Sequence, residues 1–146
     1  MDHQKSLSTG LFLLRLGIGF VFLIFGIDKL THPMGWVLFL PAAASDILSK
    51  THLNPYVFLR MQGILEMVIG IQLLVGIFTR LTGVLAVTTL CLIVYAVGFD
   101  PIGIRDLGLL FSGAAIVLLG PGDFSADFWL KSTMETKPSR NQGSQE

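Results

Sequence analysis

Glu66 is the residue whose surroundings ask for an explanation. It sits inside GILEMVIGIQLLVG (63–76), whose other thirteen residues fit a lipid bilayer at moderate cost or none. A charged side chain in a membrane span is costly, usually faces the protein interior and usually has a partner. On a helix, the neighbours of Glu66 at i−4, i−3 and i+4 are Gln62, Gly63 and Gly70. That face is polar and lined by small residues, so it admits a second helix at close range and turns the carboxylate away from lipid. Glu66 follows Tyr56 by ten residues, about 15 Å along a helix axis and near the bilayer centre.

Arg15 is the partner expected for it. Arg15 lies about 12 Å into the first apolar block, on a face with Gly19 and Gly26. In an antiparallel neighbour, Glu66 lies about 18 Å from the same surface, and a long arginine side chain spans most of the difference. The alternative is a protonated Glu66 held by hydrogen bonds. A second set of charges falls towards the other surface. Asp28 and Lys29 close the first block, Arg60 lies one turn inside the second, and Arg105 and Asp106 open the last. These five residues form a polar mouth with Gln62 between them and Glu66 at its base, or else they are ordinary helix-end anchors. Gly103 and Gly113 on the face of Asp106 favour an inward role for that carboxylate. As a binding set, Arg60, Gln62, Arg105 and Asp106 offer cations and a carboxylate to a polar headgroup. Glu66 is the candidate proton acceptor.

The elements that must position these residues follow from composition. Of 146 residues, 52% are hydrophobic and only 14% charged, with a mean hydropathy of +0.71. The apolar residues come in blocks rather than stripes, which a soluble core of this size could not absorb. A spanning helix needs about 20 mostly apolar residues. Four blocks approach this: Leu7 to Ile27, Tyr56 to Phe78, Leu81 to Phe99, and Ile104 (or Pro101) to Leu119. The first carries Arg15 and ends at Asp28-Lys29 without a small-residue cleavage site, so it reads as a retained span rather than a signal peptide.

The expected fold is therefore all-α: an integral membrane four-helix bundle with a long loop between helices 1 and 2 and a short interfacial C-terminal helix. Residues 1–131 would form the membrane domain and 132–146 a polar, disordered tail. The 79–83 turn and the 100–103 link are tight and make their flanking helices antiparallel. The long 31–55 link, containing Trp36 and Phe39, suits an interfacial segment or an ordered loop. In DFSADFWLK (123–131), Asp123 or Ser125 can cap a short helix whose Phe124, Phe128 and Trp129 resemble an aromatic anchor at the membrane surface.

Net charge is zero and basic residues do not cluster, so nothing points to nucleic acid. The single cysteine, Cys91, shares a face with Thr88 and Tyr95, cannot form an internal disulfide, and reads as a packing thiol. His3, His32 and His52 lack the spacing of a helical metal site, so no metal is expected. An even number of spans puts both termini on one side. Five basic residues there against four on the other favour a cytoplasmic location for the termini in the plasma membrane.

LLRLGIGFVFLIFGIDKL (13–30), LEMVIGIQLLVGIFTRLTG (65–83) and RDLGLLFSGAAIVLLGPGDFSAD (105–127), in this order and spacing, resemble the DoxX family of small bacterial and archaeal membrane proteins. The resemblance covers about residues 7–130. Arg15, Gly26, Lys29, Glu66, Gly70, Arg80, Arg105, Asp106, Gly120, Pro121 and Gly122 are the positions that fit. It implies an accessory subunit of a quinone-linked membrane oxidoreductase or redox-defence complex, with no cofactor fixed, a polar mouth that could hold a quinone headgroup or a small sulfur anion, and redox enzyme subunits as partners beside the lipid bilayer. The second domain of the fused archaeal form is not among these residues, so thiosulfate oxidation is not carried over. Two alternatives stand beside it. One is a membrane assembly or scaffold factor without catalysis, a role that related animal proteins suggest. The other is a small proton-coupled transporter built on Glu66 and working as a homo-oligomer. The chain has no haem ligand pair, cysteine cluster or flavin fingerprint, so independent catalysis is not expected.

Overall fold

The computed structural model describes residues 3–99 and 101–135, and no strand occurs among them. Four long helices are α1 (His3–Thr31), α4 (Pro55–Val75), α5 (Thr79–Val97) and α6 (Pro101–Leu119). The link after α1 is largely helical rather than a plain loop. It holds α2 (Pro33–Trp36), a 3-10 turn (Val37–Phe39) and α3 (Ala42–Thr51). The chain closes with α7 (Ala126–Glu135), which carries four residues of the expected tail, 132–135, into a helix. Residues 136–146 of that tail lie outside the described residues.

Local chemistry sets the boundaries. Pro55 opens α4 where its missing N–H costs nothing, and the Asn54 side chain accepts the Tyr56 amide at 2.9 Å. Gly76 ends α4 in the left-handed region (φ +76°), and its amide donates to the Gln72 carbonyl at 2.8 Å. Ser125 caps α7 by accepting the Phe128 amide at 3.2 Å.

α1 packs lengthwise on α4, and α5 on α6; α1 also touches α6, and α4 touches α5. The core holds Ile18 and Phe22 of α1, Ile69 and Leu73 of α4, Ala86 and Leu90 of α5, and Ile116 of α6. Around it the outward faces are apolar: Leu13, Phe20, Ile24, Met61, Ile64, Leu92 and Phe111 are all exposed. This is the distribution a lipid-facing protein requires.

Among the described residues, α1 and α4 are long and apolar enough to cross a membrane. The apolar part of α5, Thr79–Tyr95, is shorter. Its first turn carries Thr79, Arg80 and Thr82, and its helix stops at Val97 before a glycine in the left-handed region, not at Phe99 as the apolar run alone suggests.

Candidate functional site

The α1–α4 contact is made on glycine. A Cβ on Gly26 would lie 2.7 Å from the Gly63 carbonyl oxygen, and one on Gly70 would lie 2.7 Å from the Leu23 amide nitrogen. Gly19 faces the Gly70 carbonyl in the same way. These contacts fix the antiparallel register: Gly19 lies beside Gly70, and Gly26 beside Gly63. One turn beyond Gly26, the register delivers Lys29 to Glu66.

The two side chains form a buried pair. Lys29 Nζ donates to both carboxylate oxygens of Glu66, at 2.5 and 2.6 Å, and the side chains are 6% and 3% exposed. Gln62, one turn away on α4, adds an Nε2 donor to Glu66 Oε1 at 3.3 Å. The ring of half-buried Trp36 covers the ammonium at 4.5 Å, a cation–π contact. That indole is held in turn: its Nε1–H donates to Asp28 at 2.8 Å, and it packs edge-on against Phe25 and beside Phe39. From α6, buried Asp106 accepts two donors of Arg105 at 2.8 Å. The half-exposed Arg105 guanidinium lies 4.9 Å over the Phe25 ring. Arg105 thereby joins Asp106 to the pair, because Phe25 packs against the Trp36 ring that covers Lys29. The assembly thus has two cations and two carboxylates at one level, walled by aromatic rings.

Arg15 is not the partner of Glu66. It lies level with Gly76, ten residues and roughly 15 Å of helix beyond Glu66. Aligning the ends of the apolar blocks misplaces it, because α1 overhangs α4 at its N-terminal end and the glycine contacts, not the block ends, set the register. Arg15 is 1% exposed and donates through Nη2 to the Phe124 carbonyl, with Nε and Nη1 lacking a protein partner among the described residues. Lys29, which the sequence assigns either to the polar mouth above Glu66 or to a helix-end anchor, turns inward onto Glu66 itself. Pairing the glycines of the two helices in antiparallel order is the signal that would have found it. Arg60 is exposed and makes no hydrogen bond or ion pair among the described residues, so it stands apart from the cluster. Asp28 faces His32 and Trp36 at the rim. On α5, Thr88 bonds its own backbone at Val84, while Cys91 and Tyr95 are exposed.

A second polar set at the opposite end joins the 120–128 segment to the helices. Ser8 donates to Asp123 at 2.6 Å. Asp127 accepts the amides of Phe78 and Thr79, each at 2.8 Å, and so caps α5 from 48 residues away.

In chemical terms, the Glu66 cluster can donate to acceptor oxygens through Lys29, Gln62 and Arg105, and it holds two carboxylates, Glu66 and Asp106. Among the described residues, no group of three or more His, Cys, Asp or Glu could jointly hold a metal ion. Neither a curated protein nor a solved structure matches the chain. The DoxX family model matches residues 10–98, from the first turns of α1 to the end of α5, leaving the 105–127 stretch outside it. With apolar helices of spanning length and more than half of its residues under that match, the chain is a membrane protein of the DoxX family.

Proposed function

We propose that the chain is a four-span integral protein of the plasma membrane, with both termini in the cytoplasm, serving as an accessory subunit of a quinone-linked oxidoreductase or redox-defence complex. The observation that carries this reading is the Lys29–Glu66–Gln62 cluster, set beside Asp106 and Arg105 and under aromatic cover. Its donor set fits a quinone headgroup. Lys29, Gln62 and Arg105 would supply donors to its carbonyl oxygens, beside the aromatic side chains Trp36 and Phe25. A bound quinone supplies electron and proton carriage between membrane partners. The chain's own residues hold it and keep acidic groups within reach, with Glu66 inside and Asp106 next to the half-exposed Arg105. Electrons must come from another subunit.

One observation favours a second reading, a scaffold or assembly factor. Lys29 reaches both oxygens of Glu66, so the pair satisfies itself without any ligand. In that case the cluster pins α1 to α4, and the 31–55 segment or the 120–135 segment meets the partner.

Glu66→Gln separates the two. Purified gently from membranes, the wild-type chain is expected to carry quinone in near-stoichiometric amount and the variant to lose most of it while remaining folded. Lowered yield of folded variant, with unchanged quinone per folded chain, would favour the scaffold. No quinone on either protein would remove the first reading.

A further inference from the structure

We infer that α7 and the α4–α5 turn together form a surface that seats in the glycerol and headgroup layer of a phospholipid membrane, with Asp127 as the residue that positions it. The position of α7 in depth is fixed by hydrogen bonds to the helix ends. Asp127 takes the Phe78 and Thr79 amides on its two carboxylate oxygens, and its own amide donates to the Gly76 carbonyl at 3.0 Å. Arg15 holds the Phe124 carbonyl from below. The first turn of α7 is thereby tied to the level where α4 ends and α5 begins, which is where apolar helix gives way to the interface.

The surface at that level is large and apolar. Phe78, Phe124, Phe128, Trp129 and Leu130 are 65, 58, 47, 72 and 54% exposed. Phe78 also holds a left-handed backbone (φ +50°), uncommon for a bulky residue, which lies where its amide meets Asp127. Two features select lipid as the occupant. The patch is continuous with the outward faces of α4 and α5, where Ile71, Val75, Leu81, Val84 and Leu85 are exposed. Arg80, exposed in the first turn of α5, supplies a cation at the height of the phosphates. Aromatic residues concentrate at this depth because their rings suit the apolar side and their polar edges the wet side. The Trp129 indole meets that description, being exposed and without a hydrogen-bond partner for its N–H among the described residues.

The test uses Trp129 as its own reporter. The chain has two tryptophans, so Trp36→Phe leaves one. The full chain is reconstituted in phosphatidylcholine–phosphatidylglycerol vesicles with bromine either near the glycerol end of the acyl chains or near their middle. Trp129 emission is expected to be blue-shifted, and quenched about twofold more strongly by the shallow bromine than by the deep one. Adding Asp127→Asn should raise quenching by aqueous iodide and weaken quenching by shallow bromine, at unchanged helix content. Three results overturn the inference: full iodide access with no bromine quenching, stronger quenching by deep bromine, or shielding from both that grows with protein-to-lipid ratio and so reports a protein covering the patch. If Asp127→Asn fails to fold, the single-tryptophan protein alone still decides the lipid contact.

Discussion

Replacing Lys29 alone by Met is expected to destabilise the chain by about 3–5 kcal/mol, because it leaves the Glu66 carboxylate buried without its cation. Replacing Glu66 alone by Leu should cost a similar amount by stranding the ammonium. Replacing both should recover most of the loss, since a well-packed apolar pair removes the desolvation penalty together with the attraction. The measurement is a double-mutant cycle on unfolding in mild detergent, read by retained helicity or by size-exclusion profile after heating. A coupling energy well above 1 kcal/mol is the expected result for a pair in direct contact. The same cycle on Arg15→Met and Glu66→Leu should be additive within about 0.5 kcal/mol, because residues this far apart with no shared partner do not couple. Strong Arg15–Glu66 coupling with none for Lys29 would overturn the register set by the glycines. The outcome also bears on function. A pair whose double replacement folds well but no longer retains quinone is a binding element, whereas one whose replacement changes only stability is a pin.

How far these contacts can be read from sequence depends on how local their causes are. The inward direction of Glu66 is legible because Gln62, Gly63 and Gly70 are its own helical neighbours. The close approach of α1 is legible from Gly19 and Gly26 for the same reason. The partner of Glu66 is not a local property. It depends on axial register, and a shift of two helices by a few turns exchanges Arg15 for Lys29. Arg60 illustrates the reverse error. Its depth matches the cluster, but its position around α4 turns it outward, and depth alone carries no azimuth. The short helices α2 and α3 were hidden by composition, since Trp36 and Phe39 suit an interfacial loop equally well. The cap on α5 lies further out of reach. Phe78 and Thr79 have no local side-chain acceptor, and Asp127 arrives from beyond α6. Ser125 at the start of α7 is the opposite case, an adjacent residue acting within its own turn.

Gly26→Ala should therefore be the most damaging single methyl added to α1. The new Cβ would meet the Gly63 carbonyl oxygen at 2.7 Å and the Met67 amide nitrogen at 2.8 Å. Both are helix backbone, so neither can turn aside as a side chain would, and α1 and α4 must separate. The expected loss is about 1–3 kcal/mol for Ala and more for Leu. Gly10→Ala is the internal control. It lies on the same helix, a Cβ there meets nothing within 4 Å, and it should be neutral or stabilising by at most about 1 kcal/mol through helix propensity. Opposite signs for the same chemical change isolate the helix–helix contact from any general effect on α1. The substitution also reaches the polar cluster, because Lys29 follows Gly26 by one turn on the same face. Moving α1 outward lengthens the Lys29–Glu66 contact, so the coupling measured between these two residues should fall in the Gly26→Ala background while the Gly10→Ala background leaves it intact. Retained coupling in both would mean that the long lysine side chain, rather than the glycine contact, holds the pair together.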